Sequence, residues 1–435
     1  MAEPIRNIAV LSVDALRADH LPQFGYERET APTLEGLSAS GVHCTNAVSA
    51  STHTREAMPA MLSGQHAADA TDGSYELRAD TVASLVGESA DTGFFHSNPF
   101  VSRAYGFDEG FDAFDDDLRL SRHKLVALAQ RALDKLRNRH YARAEEINER
   151  SLSWLDSRDD DRPFLLWNHY MDVHGPYEPP SEYAQRWADD PPSDRAAGSL
   201  FQRAVKEPET ITDEERQTLV DLYDGEIRYT DDQIRAFLDG LEARGLLEET
   251  LVIVTSDHGE AFGERGYFEH PRFLDEELLR VPLILDGPEV EARSIDRAAS
   301  VLDVVPTALN VLGVGSDSLP GVSLLSNDGS DVVISSVRGE GDRSVKQQFS
   351  ARSSDRKLVR EYDVEQEALV EDHLYAVSDG VAGDAVDDRG EEAERVRETL
   401  DEHVATRLDG LEATGNRDAD EQVQGRLQAL GYVDE

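Results

Sequence analysis

The chain has 435 residues and a formal net charge of -45 at pH 7. Five of its 43 basic residues are lysine, and no stretch of the sequence concentrates positive charge, which argues against nucleic acid as a partner. The single cysteine, Cys44, excludes an internal disulfide, and no run of about 18 apolar residues is present to cross a membrane.

The acidic excess is typical of a protein dissolved in concentrated salt. At molar ionic strength the Debye length falls to about 3 Å, so repulsion among surface carboxylates is screened. We therefore interpret the chain as the salt-adapted protein of a halophile. Its first residues lead directly into an apolar segment, without a basic region followed by an apolar core, and we expect a cytoplasmic location.

The N-terminal half alternates strand and helix patterns. Residues 7–13 are strand-like and run into Asp14. Proline in a first turn predicts a helix from Pro32, and Gly64 ends a second helix that is predicted over 55–62. Further strands are predicted over 43–48, 92–96 and 164–169.

The clearest helix begins after Thr212, whose side chain forms a predicted capping box with Glu215. Apolar residues then recur at helical spacing until Gly245, and a strand over 251–256 follows directly. A helix that leads straight into a strand is typical of a parallel sheet.

Two of the predicted strands end in side chains that bind metals. The first delivers Asp14, and the strand over 251–256 is followed by Asp257 and His258. Such residues at the carboxyl ends of strands indicate an open α/β sheet with a site for a divalent cation above it. The polar segment 180–203 is interpreted as an insertion near this site.

Beyond about residue 325 the pattern changes. Short apolar runs at 332–335 and 357–362 predict strands of a small antiparallel sheet, and the acidic, glycine-containing segment 378–394 predicts a surface loop. We expect two domains, residues 1–325 and 326–435, as the chain length allows. A final helix is predicted to carry Val396, Leu400, Val404 and Leu408 on one face.

Between the two metal-binding strands lies a hydroxyl-rich loop that leads into the helix over 55–62. Thr54 stands where backbone N–H groups and the helix dipole favour an oxyanion. A hydroxyl bound to a cation loses its proton readily and becomes a nucleophile toward phosphorus or sulfur. A helix N-cap is the structural alternative for Thr54, and the two roles are compatible.

Several motifs occur in a consistent order along the chain. They are Val13-Asp14-Ala15-Leu16-Arg17, the Thr54 loop ending at Gly64, and the segments 169–177, 223–229, 255–260, 270–282, 300–307 and 427–432. Together they resemble the sulfatase branch of the alkaline phosphatase superfamily over nearly the whole chain.

The resemblance implies an α/β fold, an alkaline-phosphatase-like sandwich. A large, mostly parallel sheet would be flanked by helices, with a small C-terminal antiparallel sheet and a helix beside it. It also implies one or two divalent cations per chain, with Mn²⁺, Zn²⁺, Ca²⁺ and Mg²⁺ as candidates. The ligands that it implies are Asp14, Thr54, Asp257 and His258.

The resemblance also implies catalytic roles. Thr54 matches the nucleophile, while His174 and His270 match histidines that contact the transferred or leaving group, or bind a second metal. Asp172 is a weaker candidate. Arg55 adjoins the nucleophile and is a candidate for holding an oxyanion with two hydrogen bonds.

The nucleophile loop departs from the sulfatase pattern. Sulfatases carry Cys or Ser there, with Pro two residues on and Arg four residues on, and oxidise the first residue to formylglycine. Here Thr54 is followed by Glu56 and Met58, and threonine cannot become formylglycine. Ser51 has Arg55 four residues on, but it lacks the proline and is the alternative register.

The metal ligands also depart from the sulfatase pattern. Ala15 replaces the second aspartate of the sulfatase pair, so the site has one carboxylate fewer. With His258 beside Asp257, the ligand set shifts from calcium-like oxygen ligation toward zinc or manganese.

The sequence thus predicts a metal-dependent hydrolase or transferase of phosphate-type esters, either phosphodiester, phosphonate or phosphomonoester, that acts through covalent Thr54. The alternative is a sulfuric ester hydrolase that acts on a sulfated metabolite or glycan. A non-catalytic binding module is a third hypothesis, against which the intact ligand set argues. The expected partner is a small-molecule or glycan phosphate or sulfate ester, and the oligomeric state is left open.

Stability is expected to depend on salt. Below about 0.5 M KCl, screening weakens and self-repulsion across the acidic surface destabilises the fold. Thermal melting between low and multimolar KCl therefore should show a rising midpoint. A midpoint that does not change with salt would contradict the interpretation of the composition.

Overall fold

The computed structural model describes residues 5–117, 141–158, 162–326, 329 and 331–407. The strands are β1 (Asn7–Val13), β2 (Val42–Cys44), β3 (Ala47–Val48), β4 (Asp91–His96), β5 (Ala113–Asp115), β6 (Phe164–Tyr170), β7 (Thr250–Ser256), β8 (Ala261–Phe262), β9 (Phe268–Glu269), β10 (Leu283–Asp286), β11 (Arg293–Ile295), β12 (Ala299–Ser300), β13 (Val333–Arg338), β14 (Lys346–Arg352), β15 (Arg356–Asp363), β16 (Ala368–Ser378) and β17 (Val381–Ala385). The α-helices are α1 (Pro32–Ser40), α2 (Thr54–Ser63), α3 (Ala67–Ala70), α4 (Val82–Val86), α5 (Ala144–Ser157), α6 (Ser181–Ala184), α7 (Asp194–Lys206), α8 (Asp213–Glu242), α9 (Glu276–Leu279), α10 (Val304–Val311) and α11 (Glu391–Ala405).

The main sheet has eight strands in the order β11-β2-β10-β7-β1-β6-β4-β5. The strands β7, β1, β6, β4 and β5 run parallel, while β10 pairs antiparallel with β7 and β2. Every residue of β1, β6 and β7 is buried, as parallel strands covered on both faces require. The predicted large, mostly parallel sheet is confirmed.

Two apolar cores cover the faces of this sheet. Because side chains alternate along a strand, Ile8 and Val10 of β1 join one core, while Ala9 and Leu11 join the other. The predicted strand over 43–48 is divided between two sheets. Its first part, β2, joins the main sheet, and β3 pairs with β12 instead.

Helix ends follow the local sequence. Thr212 and Glu215 form the predicted capping box of α8, which ends at Glu242, before the expected Gly245. The helix α2 begins at Thr54, and Gly64 after its end has a φ of 68°, the left-handed conformation that glycine adopts without strain. None of the helices in the described ranges has both the length and the apolar composition needed to cross a membrane.

The C-terminal part forms the predicted small antiparallel sheet, with strand order β13-β14-β15-β16-β17. The helix α11 packs on it through Val396, Leu400 and Val404, as predicted, whereas Leu408 lies outside the described residues. The prediction of a loop over 378–394 is wrong, because the segment contains β17 and the start of α11. The side chains of β17 are mostly exposed and its pairing with β16 uses the backbone, so no apolar alternation marks it.

The small sheet supports the loop that leads to Thr54. Ser336 in β13 donates its backbone N–H to the Ala50 carbonyl over 2.9 Å, and Ser335 Oγ donates to the Ser49 carbonyl over 2.6 Å. These two bonds join the nucleophile loop to the edge of the C-terminal sheet.

A buried ion-pair cluster reinforces this junction. Glu56 of α2 is 2% exposed and accepts hydrogen bonds from Arg272 Nη1 and from the backbone N–H of Arg338, each over 3.2 Å. A buried carboxylate is stable only with such partners. Glu56, which stands where sulfatases have proline, is thus a residue that fastens α2 to β13.

Candidate functional site

Four side chains converge at the carboxyl ends of β1 and β7. Asp14, Asp257 and His258 are completely buried, and Thr54 at the start of α2 is 1% exposed. From His258 Nε2, the distance to Thr54 Oγ1 is 3.0 Å, to Asp257 Oδ2 3.5 Å and to Asp14 Oδ1 3.6 Å. The predicted metal ligands therefore lie together around one imidazole nitrogen.

The second nitrogen of His258 fixes the tautomer of the ring. His258 Nδ1 lies 2.8 Å from the Gly259 carbonyl oxygen, which only accepts hydrogen bonds. Nδ1 therefore carries hydrogen, and in the neutral ring Nε2 presents its lone pair to Thr54 and the carboxylates. An imidazole oriented in this way is a ready metal ligand.

Each carboxylate has one oxygen with a partner and one without. Asp14 Oδ2 accepts a hydrogen bond from Asn98 Nδ2 over 2.7 Å, and Asp257 Oδ1 accepts from the backbone N–H of Ala15 and His258. Asp14 Oδ1 and Asp257 Oδ2 have no hydrogen-bond partner among the described residues. Unsatisfied buried carboxylate oxygens are costly, and a divalent cation between them would satisfy both.

The ionisation of these groups is mutually dependent. Burial, together with the charge of Asp14, raises the pKa of Asp257. Burial opposes a charge on His258, but Asp257 and Asp14 outweigh it and raise the pKa of the ring. Burial also opposes a charge on Asp14, yet His174, His169 and His258 lower its pKa. Positive charge near these carboxyl groups therefore favours their ionised forms.

His169 joins the cluster, although the sequence did not single it out as a ligand. It lies in β6, with Nε2 3.3 Å from Asp14 Oδ2 and Nδ1 2.9 Å from Ser12 Oγ. Atoms of Asp14, His169 and Asp257 that could bind a metal lie within 4.8 Å of one another. A histidine near the end of a buried strand was the available signal, but the sequence does not show that β6 lies beside β1.

The two predicted catalytic histidines lie near His258. The His270 ring stacks on the His258 ring at 4.5 Å, and His174 lies 4.8 Å from His270 and 6.5 Å from His258 between ring centroids. His174 Nδ1 lies 2.7 Å from the Gly175 carbonyl oxygen, and His270 Nδ1 lies 3.4 Å from Glu260 Oε1. Both histidines thus adjoin the cluster around Thr54.

The loop that carries His174 is backed by α7. A Cβ atom added at Gly175 would lie 2.3 Å from the Phe201 ring, so only glycine permits this contact. The polar segment 180–203, which reaches into α7, therefore lies behind the His174 loop.

Thr54 and its neighbours have distinct surroundings. His53 caps α2, with Nδ1 accepting a hydrogen bond from the Arg55 backbone over 3.2 Å, so Thr54 is the first helical residue instead of the cap. The Arg55 guanidinium lies over the Phe100 ring at 4.2 Å. Ser51 Oγ donates to Glu56 Oε2. Of the two hydroxyls proposed from the sequence, the one that contacts His258 belongs to Thr54.

Two other residues named from the sequence lie elsewhere. Asp172 forms an ion pair with Arg143 over 2.8 Å and accepts the Ala144 backbone N–H at the start of α5, so it belongs to a separate structural pair. Cys44 is buried in β2, and burial raises the pKa of its thiol to about 12. An inert, enclosed thiol is unsuited to conversion into a catalytic group.

Comparison with known proteins agrees with this architecture. The sulfatase family model matches residues 6–314. The phosphonate monoester hydrolase of Agrobacterium radiobacter has a similar fold, with a TM-score of 0.72 and 17% identity over 93% of this chain and 96% of that chain.

Curated relatives match over shorter stretches. An uncharacterized sulfatase of Escherichia coli, YidJ, is 28% identical over 42% of this chain and 39% of its own length. The low-salt glycan biosynthesis sulfotransferase Agl7 of Haloferax volcanii is 23% identical over 73% of this chain and 64% of its own length. The matches thus cover less than two thirds of either relative. Because the family model spans most of the chain, the protein belongs to the sulfatase family.

Proposed function

We propose that the protein is a metal-dependent hydrolase or transferase of phosphate-type esters and that Thr54 is its covalent nucleophile. The observation that carries the proposal is the contact between Thr54 Oγ1 and His258 Nε2, beside two buried carboxylate oxygens without partners. A cation held by these carboxylates would activate a hydroxyl in this position.

Asp14, Asp257, His258 and Thr54 would hold the cation, with His169 as an additional ligand or a support for Asp14. The sulfatase family is metal-dependent, and the donor set of carboxylates and imidazoles favours manganese or zinc. When bound, the cation would lower the pKa of the Thr54 hydroxyl and offset negative charge on the transferred group.

The chain's own residues then account for both chemical steps. Thr54 passes its proton to solvent and Oγ1 forms a bond to phosphorus, while the bond from phosphorus to the leaving oxygen breaks and that oxygen takes up a proton from His174 or from solvent. A water or a second alcohol next attacks the phosphothreonine, its proton is released, and the bond to Thr54 Oγ1 breaks. Water gives hydrolysis, and an alcohol gives transfer.

His174 and His270 would serve the leaving oxygen in different ways. His174 Nδ1–H donates a hydrogen bond to the Gly175 carbonyl, so His174 would act as a general acid through Nε2. Burial, with the charges of His258 and His174, holds the pKa of His270 well below its usual range. Neutral His270 would therefore assist by hydrogen bonding. Arg55 remains a candidate for holding an oxyanion.

Threonine favours phosphate over sulfate chemistry. Its Cβ carries no second oxygen, so a sulfated threonine cannot release sulfate by re-forming a carbonyl and must be attacked at sulfur. A phosphorylated threonine is resolved by in-line attack at phosphorus, as in other covalent phosphoryl transfers. The similar structure that is named a phosphonate monoester hydrolase is compatible with this preference.

The second candidate is sulfuric ester hydrolysis or sulfate transfer on a metabolite or glycan. It is supported by the names of the relatives, a sulfatase and a glycan biosynthesis sulfotransferase. A panel of chromogenic phosphate monoester, phosphodiester, phosphonate and sulfate esters, assayed in multimolar KCl with Mn²⁺, Zn²⁺, Mg²⁺ or Ca²⁺, distinguishes the two.

Metal content should depend on the carboxylates of the site. Asp14→Asn and Asp257→Asn each remove one charge and are expected to lower the amount of bound cation and to abolish turnover. Elemental analysis measures the bound cation. Asp231→Asn is the matched control, because Asp231 is equally buried but caps α1 through the Thr33 and Leu34 backbone N–H groups. Full activity of the wild type after exhaustive chelation would contradict the metal requirement.

Turnover should depend on the Thr54 hydroxyl. Thr54→Ala is expected to lower kcat by at least about 10³-fold because the covalent step is lost, whereas Thr54→Ser keeps the hydroxyl and should retain measurable activity. Steady-state kinetics with the best ester of the panel measures both.

Two variants of the same loop serve as controls. Thr52→Ala removes the same atoms from a buried position two residues earlier and should retain most of the activity. Ser51→Ala tests the alternative register. If Ser51→Ala were inactive and Thr54→Ala fully active, the nucleophile would be Ser51 instead of Thr54.

A further inference from the structure

A cavity of about 370 Å³ opens beside the proposed nucleophile. His53, which directly precedes Thr54, and His270, which stacks on His258, both line it. The cavity therefore borders the face of the site where His270 would meet a leaving group.

Three arginines line the same cavity, although acidic residues outnumber basic ones twofold in the chain. Arg55 comes from α2, Arg272 from the loop after β9, and Arg343 from the connection between β13 and β14. Arginine is the residue that binds carboxylates and phosphates with two parallel hydrogen bonds.

The Arg272 guanidinium is held in place by hydrogen bonds but has one donor without a partner in the described part of the chain. The side chain is 7% exposed, and Nη1 donates to Glu56 and to the Arg338 carbonyl. Nε donates to Glu340 over 3.0 Å, but Nη2, on the same edge of the guanidinium, has no hydrogen-bond partner among the described residues. One edge of a buried cation therefore keeps an unused donor beside the one that binds Glu340.

The side chain that accepts from this edge of the Arg272 guanidinium is Glu340. Glu340 places its carboxylate between Arg272 Nε and Arg55 Nη1, the latter at 3.4 Å, and is 45% exposed. Glu340 is the more exposed partner of both ion pairs, and an incoming anion would replace the charge that Glu340 gives to Arg272. Arg272 would keep its orientation, because Glu56 holds it from behind.

We propose that Arg55 and Arg272 bind a second anionic group on the leaving-group side of the substrate, and that this group displaces Glu340. The inference rests on the proposed function and specifies its substrate class: a phosphate-type ester whose alcohol carries a carboxylate or a further phosphate or sulfate. Arg343 at the mouth of the cavity adds positive charge that favours such a substrate.

The test compares 3- and 4-carboxyphenyl phosphate with the 3- and 4-carbamoylphenyl phosphates, whose amide has nearly the shape of the carboxylate but no charge. Wild-type enzyme should have a lower KM for the carboxylates. Glu340→Gln removes the competing charge and should lower the ratio of KM for the carboxylates to KM for the amides about threefold or more. Arg343→Gln should raise KM for the carboxylates alone. Glu109→Gln, the same charge change at an exposed position, should have no effect.

Equal shifts for carboxylates and amides in Glu340→Gln, or no shift in either, would overturn the inference. Calorimetric measurement of 4-hydroxybenzoate binding to the wild type and to Glu340→Gln tests the anion site independently of the proposed function. Binding that tightens in Glu340→Gln, without turnover of any ester, would refute the Thr54 chemistry and retain the anion site. Turnover of the amides, with no binding of 4-hydroxybenzoate, would retain the chemistry and refute the anion site.

Discussion

Uncompensated negative charge, buried at the carboxyl ends of two neighbouring strands, is the constraint on which the site depends. The parallel register pairs Val13 with Ser256, so the next residue of each strand, Asp14 and Asp257, meets the other at the sheet edge. Neither carboxylate reaches water, and each keeps one oxygen without a partner. Positive charge near them stabilises such an arrangement, and His258, with a divalent cation, would supply it.

The C-terminal sheet extends the site beyond this charge cluster. Its first strand, β13, holds the loop before Thr54 through the backbone, and the buried Glu56 fixes the start of α2 to the same strand. The connection that follows β13 presents Glu340 and Arg343 to the cavity beside the nucleophile. Placement of the nucleophile and the proposed recognition of the leaving group therefore depend on one edge of the small sheet.

Local patterns were sufficient to predict the central strands β1, β4, β6 and β7, the long helix and the polar residues that meet at the strand ends. Asp14, Asp257 and His258 could be found because polar residues directly follow apolar strands. His169 could not, since its role depends on β6 lying next to β1, and the exposed strand β17 carries no apolar signal. Asp172 has the right residue type, but only the structure reveals its partner Arg143. The domain division near residue 325 and the catalytic roles remain predictions.

The central claim is that Thr54 carries the transferred group. Acid quenching of the enzyme during turnover of its best phosphate ester, followed by peptide mass spectrometry at high resolution, tests the claim directly. The account predicts a phosphoryl group on the Thr54 side chain that accumulates with substrate and disappears when substrate is exhausted. A phosphoryl group on another residue, or unmodified Thr54 at every quench time during turnover, would contradict it.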